Sequence, residues 1–221
     1  MSPELLMRPV ICMITDRRRY GTNWEDALVE RVAAAAHAGV HLVQVREREV
    51  DGGPLARLVA RCVDAVRGTP ARILVNDRLD VAVTARAHGV HLPADAMPAP
   101  RARAIAPSPF VIGRSVHAIE EAGDETEAAC LDYLVFGTVF ESASKPGAAA
   151  AGAAALARVV AATTRPVLAV GGVTVDRMAE IGRAGAAGFA AIGLFADCSP
   201  GNLQVVVRQA SMAFDTPGRV P

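Results

Sequence analysis

The segment IGRSVH (112–117) brings three chemically capable side chains together: Arg114, Ser115 and His117. A histidine can accept and return a proton near neutral pH, and an arginine can hold a carboxylate or phosphate through two parallel hydrogen bonds. The segment therefore predicts an acid–base group, His117, beside two substrate-binding residues, Arg114 and Ser115. Plainer roles are also open: His117 could contact only solvent, Arg114 could pair with Glu121, and Ser115 could cap the helix that begins near His117.

A second group of polar side chains lies at the end of the apolar run 40–46. We expect Gln44 to present its amide to a substrate. Arg46 and Arg48 alternate with Glu47, so in an extended chain both guanidinium groups point to one side and Glu47 points to the other. This pattern predicts that Arg46 and Arg48 bind a phosphate or carboxylate, with a lattice of salt bridges as the alternative.

The run 72–76 ends in Asn76 and is followed by Asp77. We expect the Asn76 amide to face a substrate. The Asp77 carboxylate has two candidate roles: it could bind a divalent cation, which prefers hard oxygen ligands, or it could cap the next helix together with Asn76.

Glycines follow two later apolar runs, Gly171 and Gly172 after the first and Gly193 after the second. Without a Cβ, backbone N–H groups can approach an anion closely, so these glycines predict a phosphate site; the alternative is that they only permit tight turns. Between the glycines and His117 lies a segment of small residues, 142–160, which suits a mobile lid with Lys145 as its substrate-binding cation.

These residues must be positioned by a regular scaffold. Short, continuously apolar runs alternate with Ala-rich segments of helical spacing, and Gly39 and Gly185 stand where helices would end. Continuous apolar strands are typical of a parallel sheet covered on both faces, and eight of them favour a (β/α)8 barrel over an open flavodoxin-type sheet. We predict one domain over 1–221, with the barrel at about 9–197 and a C-terminal helix and tail at 198–221. The predicted strands are 10–15, 40–46, 72–76, 89–92, 110–113, 132–137, 166–172 and 188–193.

Composition limits the partners. The 23 Lys and Arg residues balance the 23 Asp and Glu residues, so no overall field would attract a nucleic acid or an anionic membrane. No run approaches the roughly 20 apolar residues of a membrane span, and the four cysteines form no CxxC pair. We expect a cytoplasmic protein with a small-molecule ligand, no nucleic-acid or membrane partner, and a homodimer as the candidate assembly.

Several segments resemble, in order, the thiamine phosphate synthase superfamily of TIM barrels, over roughly residues 10–197. The resemblance implies a role in thiamine biosynthesis with a thiazole phosphate as ligand. The segments are VQVRER, VNDRLDVA, GVHLPADAMP, IGRSVH, DYLVFGTVF followed by Lys145, and PVLAVGG.

Two activities are implied by this resemblance. The synthase joins a pyrimidine pyrophosphate to a thiazole phosphate with Mg²⁺, and the chain keeps several residues of its pattern, among them Asn76, Asp77 and Lys145. However, Ala96 stands where the pattern has a second Mg²⁺-binding aspartate, and Asp95 comes one residue early. The segments RER, IGRSVH and FGTVFE look more like the second activity, that of the thiazole tautomerase TenI.

We therefore expect a thiazole tautomerase that isomerises a carboxylated thiazole phosphate tautomer to its aromatic form, with His117 as acid and base and no cofactor. The first alternative is the Mg²⁺-dependent synthase, in which Asp77 would bind the metal. The second alternative is a catalytically silent barrel that binds a thiazole phosphate and regulates a partner.

Overall fold

In the computed structural model, which describes residues 8–141 and 149–215, eight parallel strands close into one barrel. Neighbours in the chain are neighbours in the barrel, and β8 pairs with β1 to close it. The predicted (β/α)8 fold is confirmed. The strands are β1 (Val10–Ile14), β2 (Leu42–Val45), β3 (Arg72–Asn76), β4 (Gly89–Leu92), β5 (Val111–Val116), β6 (Tyr133–Phe136), β7 (Val167–Val170) and β8 (Gly188–Ala191).

A helix follows each strand, and after β1 a short 3₁₀ turn, Arg17–Arg19, comes before that helix. Further 3₁₀ turns, Val175–Arg177 and Pro200–Asn202, precede two of the helices. The helices are α1 (Trp24–His37), α2 (Gly52–Ala65), α3 (Leu79–Thr84), α4 (Ala99–Ile105), α5 (Ile119–Ala122), α6 (Glu125–Cys130), α7 (Gly152–Ala161), α8 (Met178–Arg183), α9 (Gly193–Ala196) and α10 (Leu203–Phe214).

Glycine ends two of these helices, as predicted. Gly39 after α1 and Gly185 after α8 have φ angles of +100° and +84°, which place them in the left-handed region where a Cβ is costly. The reversal at Gly39 lets the N–H of Val40 donate to the carbonyl of Ala35 at 3.0 Å, so a carbonyl at the helix end is satisfied. The chain then enters β2 directly.

The strands separate two apolar cores, because alternate residues of a strand point to opposite faces. The inner core fills the barrel, and the outer core lies between the strands and the helices, where Leu28, Leu58 and Phe195 are almost fully buried. A fully buried side chain of this size stabilises the fold by about 1.5–3 kcal/mol. The inner core comprises Val10, Cys12, Ile14, Leu42, Leu74, Val111, Tyr133, Val135, Leu168 and Ala190.

The fifth strand is longer than predicted. Apolar residues end at Gly113, but β5 continues through Arg114 and Ser115 to Val116. The added residues keep the strand's alternation, so Ser115 points into the barrel while Arg114 points outward, towards α6. The two residues therefore lie on opposite faces of the sheet and not in one turn.

The C-terminal helix closes the outer core. Leu203, Val207 and Phe214 of α10 are buried, and the Phe214 ring lies 6.5 Å from that of Phe189 in β8. A helix was predicted in this region; its tail beyond residue 215 lies outside the described residues. Within the described part of the chain, none of the helices has the length and apolarity needed to cross a membrane.

One row of the barrel determines the geometry of the site. The strand registers place Asn76 beside His91, His91 beside Gly113, and Gly113 beside Tyr133. Because Gly113 has no side chain, the Tyr133 ring lies over it and its hydroxyl reaches His91 at 3.0 Å.

This packing predicts that Gly113→Ala destabilises the protein. A Cβ at position 113 would overlap the fully buried Tyr133 ring, which has no free space to move into. We expect the free energy of unfolding in urea to fall by roughly 1–3 kcal/mol, as for other overpacked cores. Gly21→Ala is the matched control, because no atom lies within 4 Å of its added Cβ. Equal unfolding midpoints for the two variants would contradict this packing.

Candidate active site

The carboxyl ends of the eight strands meet at one rim, so the barrel mouth collects most of the predicted site residues. Three histidines lie away from it, one of which, His37, ends α1. His41 and His88 precede β2 and β4 at the opposite rim, where each ring accepts a backbone N–H at 3.0 Å. At the mouth are Gln44, Arg46, Arg48, Asn76, Asp77, Ser115, His117, Gly171, Gly172 and Gly193.

His117 is exposed at the end of β5, and a backbone carbonyl orients its ring. Its Nδ1 lies 2.7 Å from the carbonyl oxygen of Gly137, at the end of β6. A carbonyl only accepts, so Nδ1 carries the proton and, in the neutral ring, Nε2 keeps a free lone pair. Glu121 accepts from the backbone N–H of His117 at 2.6 Å and so fixes the start of α5.

Arg114 differs from the prediction. Its guanidinium pairs with Glu127 of α6 and donates to the carbonyl of Ala96 at 3.0 Å, and its side chain is only 11% exposed. The expected partner, Glu121, is not used. Residue 114 points outward from the barrel, so its guanidinium joins α6 to the loop after β4. The structure gives no support for Arg114 as a substrate ligand.

Ser115 does not cap the following helix either. Its hydroxyl lies 2.8 Å from Nε2 of His91, whose Nδ1 lies 3.0 Å from the Tyr133 hydroxyl. His91 is not at the rim but inside the barrel, where it is 3% exposed. Burial, with smaller effects from the charges of Arg46 and Arg114, lowers the pKa of His91 to about 3, so the ring is neutral. The missed signal was the position of His91 in the apolar run GVHL, two residues after the inward-facing Gly89.

Arg46 and Arg48 lie at the mouth without an ion-pair partner among the described residues. Neither forms an ion pair with a described carboxylate, so the alternative lattice of salt bridges is not observed there. Arg46 is half-buried, and its pKa is lowered by burial and by the neighbouring Arg48. Arg18, in the 3₁₀ turn after β1, adds a further positive charge near Arg46 and is held by Asp16 at 2.8 Å. Sequence reasoning missed this residue.

Glu47 points away from the two arginines, as predicted. It is 5% exposed, and its carboxylate accepts from the Thr15 hydroxyl at 2.5 Å and from the backbone N–H of Arg17 at 3.0 Å. Burial raises the pKa of Glu47. Since Thr15 also accepts from the backbone N–H of Arg46 at 3.0 Å, Glu47 braces the ends of β1 and β2.

A hollow of about 310 Å³ opens beside Arg48. Asn76, Asp77 and Asp95 line it, together with Glu47 and Arg78. No side chain caps α3, so the predicted capping by Asp77 and Asn76 is wrong. Asp77 instead has φ +66°, a left-handed conformation that aspartate tolerates better than most residues.

The donor set of this hollow fits a Mg²⁺ ion only with help from a substrate. Among the described residues no group of three or more His, Cys, Asp and Glu side chains could hold a metal. Mg²⁺ commonly uses one or two carboxylates together with water and substrate phosphates. Asp77 and Asp95 could supply the carboxylates, whereas Ala96 contributes only a carbonyl, which Arg114 already occupies.

The glycine loops present backbone donors. The N–H groups of Gly172 and Gly193 take no part in the backbone hydrogen bonds of the described turns, loops and caps. Gly171 and Gly172 have φ +97° and +59°, and a Cβ at position 172 would overlap the carbonyl of Glu141. Gly172 is therefore required by local packing, so its replacement would not test anion binding alone. At Gly193 a Cβ would meet only the Asp197 carboxylate, at 2.9 Å.

Two predicted residues remain. Gln44 is buried at the end of β2 and faces inward, on the same side as Ile14 and Leu42. Lys145, like the surrounding residues 142–148, lies outside the described residues, so its predicted contact with a substrate stays a prediction.

The fold and mouth define a class: a (β/α)8 barrel whose C-terminal face carries free cations and backbone donors suited to a small anionic ligand. A family model described as thiamine monophosphate synthase matches residues 11–195. The chain belongs to this family.

Relatives and solved structures agree with this assignment. The chain is 35% identical over 184 residues to thiamine-phosphate synthase of Roseiflexus sp. (strain RS-1), covering 83% of this chain and 76% of that protein. It is 32% identical over 188 residues to putative thiamine-phosphate synthase 2 of Aquifex aeolicus, covering 85% and 97%. Thiamine phosphate pyrophosphorylase from Pyrococcus furiosus superposes with a TM-score of 0.79 at 28% identity, covering 94% of this chain and 96% of that one.

The buried His91 predicts a specific acid sensitivity. The unfolded chain protonates this ring below about pH 6.5, whereas the folded protein keeps it neutral until about pH 3. The free energy of unfolding should therefore fall as pH drops through this window, by up to about 1.4 kcal/mol per pH unit from this one group. His91→Gln should show a shallower slope between pH 6.5 and 4 in urea titrations. His37→Gln, at an exposed ring, is the control, and identical slopes for all three proteins would contradict a buried neutral His91.

Proposed function

We propose that the chain is a thiazole tautomerase that converts a carboxylated thiazole phosphate tautomer into its aromatic isomer. The observation that carries the proposal is His117, whose Nδ1 proton is held by the Gly137 carbonyl while Nε2 has no hydrogen-bond partner among the described residues. A ring held in one tautomer can act as a base with Nε2 and as an acid once that nitrogen is protonated. The residue at position 96, an alanine, supports a reaction without the family's second metal-binding carboxylate.

The substrate of this reaction carries two anionic groups, and the mouth offers two sets of donors for them. We place the phosphate at the N–H groups of Gly172 and Gly193, beside Gly171, because neither N–H takes part in the described backbone hydrogen bonds. We place the carboxylate near Arg46 and Arg48, neither of which forms an ion pair with a described carboxylate. Gln44 of β2 and Asn76 at the end of β3 are further amide donors for the substrate.

The chemical step is a proton shift with no net change in composition. Nε2 of His117 takes a proton from one position of the thiazole tautomer, and the electron pair moves through the conjugated ring. The resulting imidazolium returns a proton at a neighbouring position, which completes the aromatic ring. During the step the Gly137 carbonyl accepts from Nδ1–H in both protonation states of the ring, so His117 keeps its orientation.

A second candidate is the Mg²⁺-dependent synthase, and the relatives' names favour it. Asp77 and Asp95 line one hollow next to Arg48, which is a suitable place for a diphosphate and its metal. These two carboxylates would hold the ion, and Mg²⁺ would neutralise the charge of the diphosphate leaving group. No specific observation favours the third alternative, a silent binding protein.

Two assays separate these functions. In the first, the purified protein receives the thiazole tautomer alone, with excess EDTA, and the aromatic product is followed by chromatography. In the second, it receives the pyrimidine pyrophosphate, the thiazole phosphate and Mg²⁺, and thiamine phosphate is measured. We expect turnover in the first assay at a rate that EDTA does not change. Turnover confined to the second assay, and abolished by EDTA, would replace the tautomerase with the synthase.

His117 is the variant site for the tautomerase. His117→Ala should lower kcat by about 10²–10⁴-fold, the usual contribution of a positioned acid–base group. His117→Gln retains a hydrogen-bonding side chain but cannot carry a proton, so it should recover no activity. His37→Ala, at an exposed ring remote from the mouth, is the control. A wild-type rate in His117→Ala would transfer the role to another group.

A further inference from the structure

A buried chain of three side chains crosses the inside of the barrel. The Tyr133 hydroxyl lies 3.0 Å from Nδ1 of His91, and Nε2 of His91 lies 2.8 Å from Oγ of Ser115. Tyr133 is fully buried and His91 is 3% exposed, while Ser115 is partly exposed near the C-terminal end of β5. The chain therefore runs from the closed interior to a surface that a ligand can reach.

Counting donors fixes the direction of these hydrogen bonds. A neutral histidine has one nitrogen that donates and one that accepts, so only two arrangements are open. In one, Tyr133 donates to Nδ1 and Nε2–H donates to Ser115. In the other, Nδ1–H donates to the tyrosine oxygen and the serine donates to Nε2.

The second arrangement leaves a buried donor unsatisfied. Within the described residues His91 is the hydrogen-bond partner of the Tyr133 hydroxyl, so in that arrangement the phenol proton would have no acceptor. A buried polar group without a partner is strongly disfavoured. Burial raises the pKa of Tyr133 well above its ordinary value, so the phenol keeps its proton and remains a donor. The first arrangement satisfies all three side chains.

We propose that Tyr133 and His91 are positioning residues that turn Ser115 into a hydrogen-bond donor towards the ligand. In this arrangement Oγ of Ser115 accepts from Nε2–H, so its own proton is directed to the mouth. The ligand atom bound there must then be an acceptor.

We identify this acceptor as a carboxylate oxygen of the substrate, the group that the proposed function places near Arg46 and Arg48. This identification of the ligand rests on the proposed function. The tautomer of His91 does not, because it follows from the protein's own donors and acceptors.

The tautomer is measured directly by two-bond ¹H–¹⁵N correlation spectra of protein labelled at histidine, with His91→Gln used to assign the signals. We expect the neutral Nε2–H form of His91 in the wild type. In Tyr133→Phe, which removes the donor to Nδ1, this preference should weaken. Tyr20→Phe is the matched control, since it removes a buried hydroxyl that has no partner among the described residues. A neutral Nδ1–H form in the wild type would overturn the proposal.

Binding gives the second measurement, with the aromatic carboxylated thiazole phosphate as probe in isothermal titration. Ser115→Ala and Tyr133→Phe should each weaken binding roughly tenfold, the value of a hydrogen bond to a charged group, and Tyr20→Phe should not. His91→Gln can accept from Tyr133 through its carbonyl and donate to Ser115 through its amide, so it should bind within a few-fold of wild type. His91→Leu can make neither hydrogen bond, so its binding should not stay within a few-fold of wild type.

The two measurements separate this proposal from the proposed function. If the wild type does not bind the probe, the tautomerase assignment fails, and the spectra alone decide the direction of the hydrogen bonds. If the wild type binds and Tyr133→Phe changes neither affinity nor tautomer, the positioning role of Tyr133 and His91 is wrong. Equal binding by His91→Gln and His91→Leu would also overturn it.

Discussion

The alternation of side chains along eight parallel strands is the constraint on which this structure depends. Closure of the sheet leaves no free edge, so every second residue must face a narrow interior and every strand must end at the same rim. The interior has little room, and in the row of His91, Gly113 and Tyr133 the large side chains fit because the middle residue is a glycine. Gly113 leaves the space that the Tyr133 ring occupies, and only because of that space does Tyr133 reach His91.

The same alternation explains why two arginines at strand ends have different roles. Arg114 points outward, meets Glu127 and becomes part of the packing between β5 and α6. Arg46 has the inward parity of Leu42 and Gln44, so it reaches the mouth, where it forms no ion pair with a described carboxylate. A charge that is half-buried without a partner is unfavourable in the free protein and therefore suited to an anionic ligand, whose arrival supplies the missing interaction.

Nearly the same set of residues at the barrel mouth could serve either of two reactions, the synthase reaction or the tautomerase reaction. Free arginines and backbone N–H donors serve a diphosphate as well as a phosphate with a carboxylate, so they do not distinguish a synthase from a tautomerase. The distinction lies in groups that act in the reaction itself: the carboxylates available to a metal in the loop after β4, and a histidine held in one tautomer. Here the loop supplies Asp95 but only an alanine at position 96, while His117 keeps an open Nε2.

The sequence by itself determined the barrel, its eight strands, the helix ends at Gly39 and Gly185, and the rim at which polar residues gather, because apolar runs and glycine conformation are local properties. It also predicted that Glu47 points away from Arg46 and Arg48, which follows from alternation. Tertiary structure decided what each side chain contacts. The extension of β5, the pairing of Arg114 with Glu127, the left-handed Asp77 and the hydrogen bonds of His91 all depend on residues distant in the chain. Tyr133 and His91 are 42 positions apart, and only closure of the barrel, with a glycine between them in the row, brings them together.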